Sequence, residues 1–158
     1  MEYNITFMVK YDKVAKNNIA PIFESYEWWL GLVSKVLKNT DEFEMRLWKD
    51  DVEGIQSGQR FGKQVPNNNT MEIVFKGKLT PELEQEILTN YLTKEGHIKW
   101  FTLNLKKGSE YVFSSAHYGD ETLITVDSIK EEHHKCKEWQ RQETKPLMVQ
   151  SYMLWRTA

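Results

Sequence analysis

The stretch IAPIFESYEWWLGLVSKVLKNTDEFEMRLW, residues 19–48, decides the fold class because its apolar periodicity changes part-way along. In its first part the apolar residues recur at the three- and four-residue steps of an amphipathic helix. In its last part apolar and polar residues alternate, as they do in a strand with one buried face. A helix over residues 19–38 followed by a strand predicts an α+β domain.

The same two periodicities predict the elements on either side. We expect strands at 3–11, 71–76, 97–106, 110–116, 122–126 and 147–155, a helix at 81–92, and a polar third helix at 128–142. The short connections favour antiparallel neighbours, so we predict a mostly antiparallel sheet of about six or seven strands. The two main helices, 19–38 and 81–92, are expected to pack on one of its faces. Residues 1–158 are expected to form a single globular domain with a long Gly/Asn-rich loop at 50–69.

Composition excludes several classes of protein. Of the 158 residues, 40% are hydrophobic and 28% are charged, which is typical of a packed domain. The net charge of −2 argues against a sequence-independent nucleic-acid binder. The longest apolar stretch, residues 28–33, is too short to span a membrane. The single cysteine, Cys136, excludes an intrachain disulfide, and the polar N-terminus carries no export signal, so we expect a cytoplasmic protein.

Potential metal ligands are densest at residues 131–136. They are Glu131, Glu132, His133, His134 and Cys136. A zinc site would need further ligands from distant segments, of which His97 and His117 are the available histidines. Nothing in the sequence requires that arrangement, so we expect no metal and no cofactor.

The turn around residue 117 is the best candidate for catalysis. His117 could act as an acid or a base near neutral pH, with Asp120 or Glu121 orienting the imidazole. A hydrolase or transferase built on these three residues is one alternative function. Ordinary polar turn chemistry explains the same residues without any catalysis.

A protein-binding surface is the interpretation that the sequence favours. Exposed aromatic residues beside charges are typical of interaction sites. The proposed surface consists of Glu42, Glu44, Trp48, Asp50, Asp51 and Arg60. It predicts a small inhibitor-type protein without catalytic activity, with a basic protein partner and neither nucleic acid nor membrane as partner. In composition alone the chain is similar to bacterial immunity proteins. A carrier of an apolar small molecule, with a pocket between helix and sheet, is the third alternative.

Overall fold

The structure is a computed structural model that describes residues 3–16, 19–126 and 148–152, and it confirms the α+β class. In chain order its elements are β1 Tyr3–Met8, β2 Lys13–Val14, β3 Pro21–Ile22, α1 Glu27–Leu37, β4 Glu42–Trp48, α2 Val52–Phe61, β5 Lys63–Val65, β6 Glu72–Lys78, α3 Pro81–Thr89, β7 Thr102–Lys107, β8 Glu110–Ala116, a 3₁₀ turn His117–Gly119, β9 Glu121–Val126 and β10 Met148–Tyr152. Within these residues one antiparallel sheet has eight strands in the order β10-β1-β9-β8-β7-β4-β6-β5. Each of the seven predicted strands has a counterpart in this sheet, and β5 is the additional strand.

Helices α1 and α3 pack on one face of this sheet, as predicted for 19–38 and 81–92, and the unpredicted helix α2 packs on the same face. That face presents the apolar side of the central strands, and the buried residues there are Phe43, Met45, Leu47, Phe75, Leu103, Leu105 and Phe113. Trp29 of α1 is fully buried, and its indole N–H donates to Ser115 Oγ of β8 at 2.8 Å. Leu83 and Ile87 of α3 belong to the same core. Burying this face supplies the main driving force for folding.

Helix α1 is shorter than the predicted helix 19–38. It begins at Glu27, and residues 21 and 22 instead form β3, which pairs with β2. The pairing of β3 with β2, in which Ala15 N donates to Ala20 O at 2.8 Å, holds this segment extended, so the helix does not start there. Ala20 and Phe23 of this segment are still buried, at 0% and 4% exposure, whereas Ile19 is 58% exposed. Their spacing therefore reflects tertiary burial and not one face of a helix.

The predicted loop at 50–69 is wrong over most of its length, because Val52–Phe61 form helix α2 and Lys63–Val65 form strand β5. The buried residues of α2 are Gly54, Ser57 and Gly58, so its inner side carries small side chains and gives no hydrophobic pattern. A Cβ atom at Gly54 would lie 2.6 Å from Leu47 Cδ2, and one at Gly58 would overlap the Phe75 ring. These glycines let the helix approach the sheet closely.

Helix α3 starts as predicted and ends earlier. Thr80 caps its N-terminus by accepting from Leu83 N at 3.3 Å. The helix ends at Thr89, and residues 91–99 turn back on themselves in a hairpin. In this hairpin Thr93 N donates to His97 O at 2.8 Å and Lys99 N donates to Tyr91 O at 2.9 Å. Gly96, at φ +92°, supplies the left-handed turn residue.

The structure describes part of the predicted C-terminal strand, 147–155. Strand β10 pairs antiparallel with β1, with Phe7 opposite Val149, which places a strand within the predicted segment 147–155. The predicted helix at 128–142 lies outside the described residues. In the part of the chain that the structure describes, every helix is too short or too polar to cross a bilayer.

Replacing Gly58 with alanine is expected to destabilise the fold by about 1–3 kcal/mol, because the new methyl group overlaps Phe75. This cost exceeds the gain of about 1 kcal/mol in helix propensity. Equilibrium urea unfolding measures it. Gln56→Ala, at an exposed position of the same helix, is the control and should change stability by less than about 0.5 kcal/mol. A Gly58→Ala variant as stable as the wild type would contradict the close approach.

Candidate functional site: an acidic cleft beside helix α2

Glu44 is not part of an exposed acidic surface, contrary to the sequence prediction. Its side chain is 2% exposed, and its carboxylate accepts from Arg46 Nε at 2.7 Å and Asn104 Nδ2 at 3.2 Å and pairs with Lys76 Nζ at 3.0 Å. Burial alone would raise the pKa of Glu44, but the hydrogen bonds from Lys76 and Arg46 outweigh it and lower the pKa. The charge of Glu44 is offset within its own sheet.

The neighbouring charges of β4 are also engaged within the chain. Arg46 Nη1 donates to Glu72 Oε2 at 3.3 Å, and Glu42 lies 4.0 Å from Lys106 Nζ. Arg60 lies on the exposed side of α2, with its guanidinium 4.9 Å from the Phe61 ring centre. It lines a groove of about 440 Å³ against α3 and not the surface of β4. The predicted protein-binding set is therefore divided among separate places.

Trp48 is half-buried by other segments of the chain. Its ring lies 4.9 Å from that of Phe101, and both pack against a small cluster that contains Ala15, Ala20 and Tyr118. Its Nε1 is buried and has no hydrogen-bond partner among the described residues. The segment around β2 and β3 contributes to this cover, which alternation along β4 could not reveal. Trp48 is therefore a packing residue and not a free aromatic anchor.

The alternative catalytic residues do come together, but at the surface. His117 Nδ1 lies 3.9 Å from Glu121 Oε2, and the two side chains are 57% and 52% exposed. Burial raises the pKa of Asp120, the charge of His117 opposes this rise, and Glu121 adds to it. These three side chains line neither of the two clefts described here. The possible metal ligands at 131–136 lie outside the described residues.

Two of the predicted residues, Asp50 and Asp51, lie in a cleft of about 260 Å³. We call it the acidic cleft, and its lining residues are Asp50, Asp51, Val52, Glu53, Gly54, Thr93, Glu95, His97 and Lys99. One wall is the turn from β4 into α2, and the other is the hairpin 91–99. The walls are joined where Lys94 N donates to Glu53 Oε1 at 3.1 Å. Lys16 N donates to Glu95 Oε2 at 3.1 Å and ties a third segment to the rim.

Asp51 holds the turn at the base of this cleft. Its Oδ2 accepts from Trp48 N at 2.8 Å, and its Oδ1 accepts from Tyr118 Oη at 2.8 Å. Burial raises the pKa of Asp51, while the hydrogen bonds from Tyr118 and Trp48 oppose the rise. Burial and the neighbouring carboxylate of Asp51 raise the pKa of Tyr118 as well. The phenol therefore stays protonated and acts as a donor.

Tyr118 reaches Asp51 from a strained turn. His117 and Tyr118 have φ values of +51° and +56°, in the left-handed region that few non-glycine residues occupy. Such conformations persist where surrounding contacts hold them. Here the buried Tyr118 ring and its hydrogen bond to Asp51 supply those contacts.

The carboxylates of the acidic cleft have no lysine or arginine beside them to offset their negative charge among the described residues. Among the described residues, Asp50, Asp51, Glu53 and Glu95 form no ion pair with a lysine or arginine. Lys99 does not neutralise them, because its buried Nζ donates to Glu86 Oε1 at 2.9 Å. No group of three described His, Cys, Asp or Glu side chains is placed to hold one metal ion. The cleft is a concentration of negative charge without a built metal site.

The sequence did not predict Glu53, Glu95, Thr93 and His97 as members of this site. Glu53 carried a usable signal, since it follows Asp50 and Asp51 within three residues. Glu95 and His97 are more than 40 residues away from that run, and only the hairpin 91–99 brings them to the cleft. Comparisons with protein-family models, curated proteins and solved structures find no match for this chain.

Replacing Glu44 with glutamine is expected to destabilise the protein by about 1–3 kcal/mol at pH 7, because a buried charged hydrogen-bond acceptor is lost. The pKa of Glu44 is lower in the folded state than the value of about 4.3 expected in the unfolded chain. The charge of Glu44 therefore stabilises the fold fully above about pH 4.3, and this stabilisation is lost as the pH falls through the folded-state pKa. The difference from wild type should therefore shrink towards pH 3. Urea unfolding at both pH values tests this, with the exposed Glu42→Gln as a nearly neutral control. If Glu44→Gln and Glu42→Gln lowered the free energy of unfolding equally, the special contribution of the buried Glu44 charge would be contradicted.

Replacing Tyr118 with phenylalanine is expected to cost about 1–2 kcal/mol, because Asp51 loses a hydrogen bond to its partly buried carboxylate. The pKa of Asp51 should also rise further, since the Tyr118 hydroxyl is one of the groups that lower it. Urea unfolding and a carboxyl-carbon NMR titration measure the two effects. Tyr111→Phe, at a side chain 46% exposed, is the matched control. A pKa of Asp51 that stays the same or falls would show that the hydrogen bond is absent in solution.

Proposed function

We propose that this chain is a small cytoplasmic protein-binding protein of the inhibitor type, without catalytic activity, that docks a basic protein partner at the acidic cleft. The observation that carries the proposal is the set of four carboxylates, Asp50, Asp51, Glu53 and Glu95, that line one cleft with no ionic partner among the described residues. The single cysteine, Cys136, favours the cytoplasmic location because no intrachain disulfide can form.

Charge of one sign in a concave surface attracts the opposite charge over a distance. Clefts focus the electric field, and such focusing increases the rate at which a complementary partner associates. In contrast to the acids of the cleft, Glu44 and Glu86 are buried and paired with cations. The four acids of the cleft thus lie at a surface where a partner can reach them.

The rim of the cleft also offers apolar contact area. Val52, the first residue of α2, is 61% exposed and lines the cleft. Many protein interfaces have an apolar centre surrounded by a polar rim. In the acidic cleft, Val52 would supply apolar contact and the carboxylates would supply the polar rim. Trp48, which sequence analysis placed in this role, instead supports the turn from beneath through its backbone N–H bond to Asp51.

Catalysis and transport of an apolar ligand have weaker support. Asp51 and Tyr118 have raised pKa values at the cleft, but each already satisfies the other by a hydrogen bond. His117 is exposed at a turn and lines neither described cleft. Polar and charged side chains predominate in both clefts, which is unlike the apolar lining of a typical small-molecule site.

Reversing two cleft charges, Asp50→Lys with Glu53→Lys, is expected to weaken partner binding at least about tenfold by repelling basic groups. The partner would first be identified by quantitative affinity purification with wild-type and variant protein. Its affinity would then be measured by calorimetry on purified proteins at low and high salt.

The matched control is Glu82→Lys, an exposed acid of α3 that does not line the cleft. It should retain the partner with an affinity within about a factor of two of wild type, since surface charges at a distance are screened. Equal enrichment of every protein by the cleft variant and the wild type would rule out this surface as the interface.

A further inference from the structure

A short hairpin covers the aromatic residues Trp48 and Phe101. Its strands, β2 and β3, have two residues each, and Ala15 N donates to Ala20 O at 2.8 Å between them. Ala15 and Ala20 form a buried cluster with Tyr118, and Trp48 and Phe101 pack against this cluster. We call β2 and β3, together with Ala15 and Ala20, the strap. The exposure of Trp48 and Phe101 therefore depends on the position of the strap.

The strap is a small element with little apolar area of its own. The buried side chains in it are the small ones of Ala15, Ala20 and Pro21. Val14 of β2 is 45% exposed, and the bond from Lys16 N to Glu95 Oε2 beside the strap is open to solvent. A two-stranded hairpin is marginally stable alone, and segments with few buried apolar side chains open at a lower free energy than the whole fold. We therefore expect the strap to open before the large sheet does.

Tyr118 fastens the strap to the rest of the fold. Its side chain is 1% exposed, its ring centre lies 5.4 Å from that of Phe101, and its backbone N donates to Phe101 O at 3.0 Å. The hydroxyl at the far end of the ring donates to Asp51 Oδ1 at 2.8 Å. One side chain thus contacts the strap, Phe101 and the turn after β4. Displacing it would remove the buried ring against which Ala15 and Ala20 pack.

The backbone that carries Tyr118 opposes this arrangement. His117 and Tyr118 have φ values of +51° and +56°, in a region that is unfavourable for residues with a side chain. Such strain persists only while surrounding contacts hold it, and here the contacts are those of the Tyr118 ring and hydroxyl. The turn therefore has two alternatives: strained with Tyr118 buried, or relaxed with Tyr118 displaced.

Trp48 contains a further group that the closed arrangement leaves unsatisfied. Its Nε1 is buried, and no acceptor for its proton is found in the part of the chain that the structure describes. A buried N–H group without an acceptor costs free energy, which contact with water recovers. Opening the strap would therefore relieve Trp48 as well as the strained turn.

We propose that the strap, Tyr118 and the strained turn 117–119 form one conformational latch, which opens locally and uncovers Trp48 and Phe101 while the large sheet stays folded. In the closed state the hydrogen bond from Tyr118 to Asp51 holds the turn and the strap together. In the open state the turn relaxes, the strap separates from Trp48, and the indole N–H reaches water. The latch goes beyond the proposed docking function and does not depend on it, because no step requires a partner.

Native-state hydrogen exchange of the full ¹⁵N-labelled chain, measured by NMR, tests the latch. The reporters are the amides of Ala15 and Tyr118 and the indole N–H of Trp48. The reference is the amide of Met45 in β4, a strand that is paired on both sides. One common opening predicts protection factors that agree within about fivefold among the reporters and lie more than about tenfold below that of Met45. Wider disagreement among the reporters, or protection within about tenfold of that of Met45, would overturn the latch.

Removing the hydroxyl of Tyr118 should act on the whole latch. Tyr118→Phe should lower the protection of the Ala15 amide and of the Trp48 indole by the same factor of about ten, because only the closed state loses the bond to Asp51. An effect confined to the turn would show that the turn and the strap open separately, and the proposal would then be wrong.

Two controls separate the latch from a general change in the protein. The amide of Gly108, which donates to Asp41 in another turn, should keep its protection within about twofold in Tyr118→Phe. Tyr111→Phe, at an exposed tyrosine, is the matched variant and should leave the reporters of the latch unchanged. A parallel loss of protection at Gly108, or an equal effect of Tyr111→Phe, would contradict a local latch.

Glycine at position 117 separates backbone strain from the histidine side chain. His117→Gly removes the cost of a positive φ from the closed state and should raise the protection of Ala15 and of the Trp48 indole about fivefold. His117→Ala keeps the unfavourable φ and should give no such rise. If both variants raised the protection, or neither did, strain in the turn would not drive the opening and the latch would be rejected.

Discussion

The close approach of helix α2 to the sheet is the constraint on which the acidic cleft depends. Gly54 lies against Leu47 and the carbonyl of Lys99, and Gly58 lies against the Phe75 ring. With the helix at this distance, Glu53 reaches the backbone of Lys94 and the hairpin 91–99 becomes the opposite wall. A larger side chain at either glycine would move the helix outward and separate the two walls. The cleft thus follows from small residues at two positions.

The acids of this chain are stabilised in two different ways. Glu44 is nearly inaccessible to solvent, and Arg46, Lys76 and Asn104 supply the hydrogen bonds that its desolvated charge requires. The carboxylates of the acidic cleft receive hydrogen bonds from backbone N–H groups but no opposite charge among the described residues. Like charges around one cleft repel each other, and this cost to stability is relieved when a cation binds. A cluster of this kind is easier to explain by recognition than by folding.

The sequence predicted the strands better than the helices, for a physical reason. Alternation in β4 places Phe43, Met45 and Leu47 on the core side, and that pattern is local to the strand. Helix α2 was not predicted, because its buried side is formed by Gly54, Ser57 and Gly58. These small residues do not produce the stripe of large apolar side chains that marks an amphipathic helix in a sequence. The segment before Glu27 was assigned to a helix because tertiary contacts bury its apolar residues at similar spacing. For the site, Asp50 and Asp51 were predicted, while Glu95 and His97 depend on a hairpin far along the chain.

Within the acidic cleft, the carboxylates differ in how far the chain itself engages their oxygens. Asp51 accepts from Trp48 N and Tyr118 Oη, so it joins the end of β4 to the strained turn before β9. Removing it would release two segments at once. Asp50 is exposed, and Glu53 and Glu95 each have one oxygen without a hydrogen-bond partner among the described residues. Changes at these three would alter the charge of the cleft without removing the hydrogen bonds of Asp51. The strained turn at His117 and Tyr118 is therefore tied to the base of the cleft independently of its other acids.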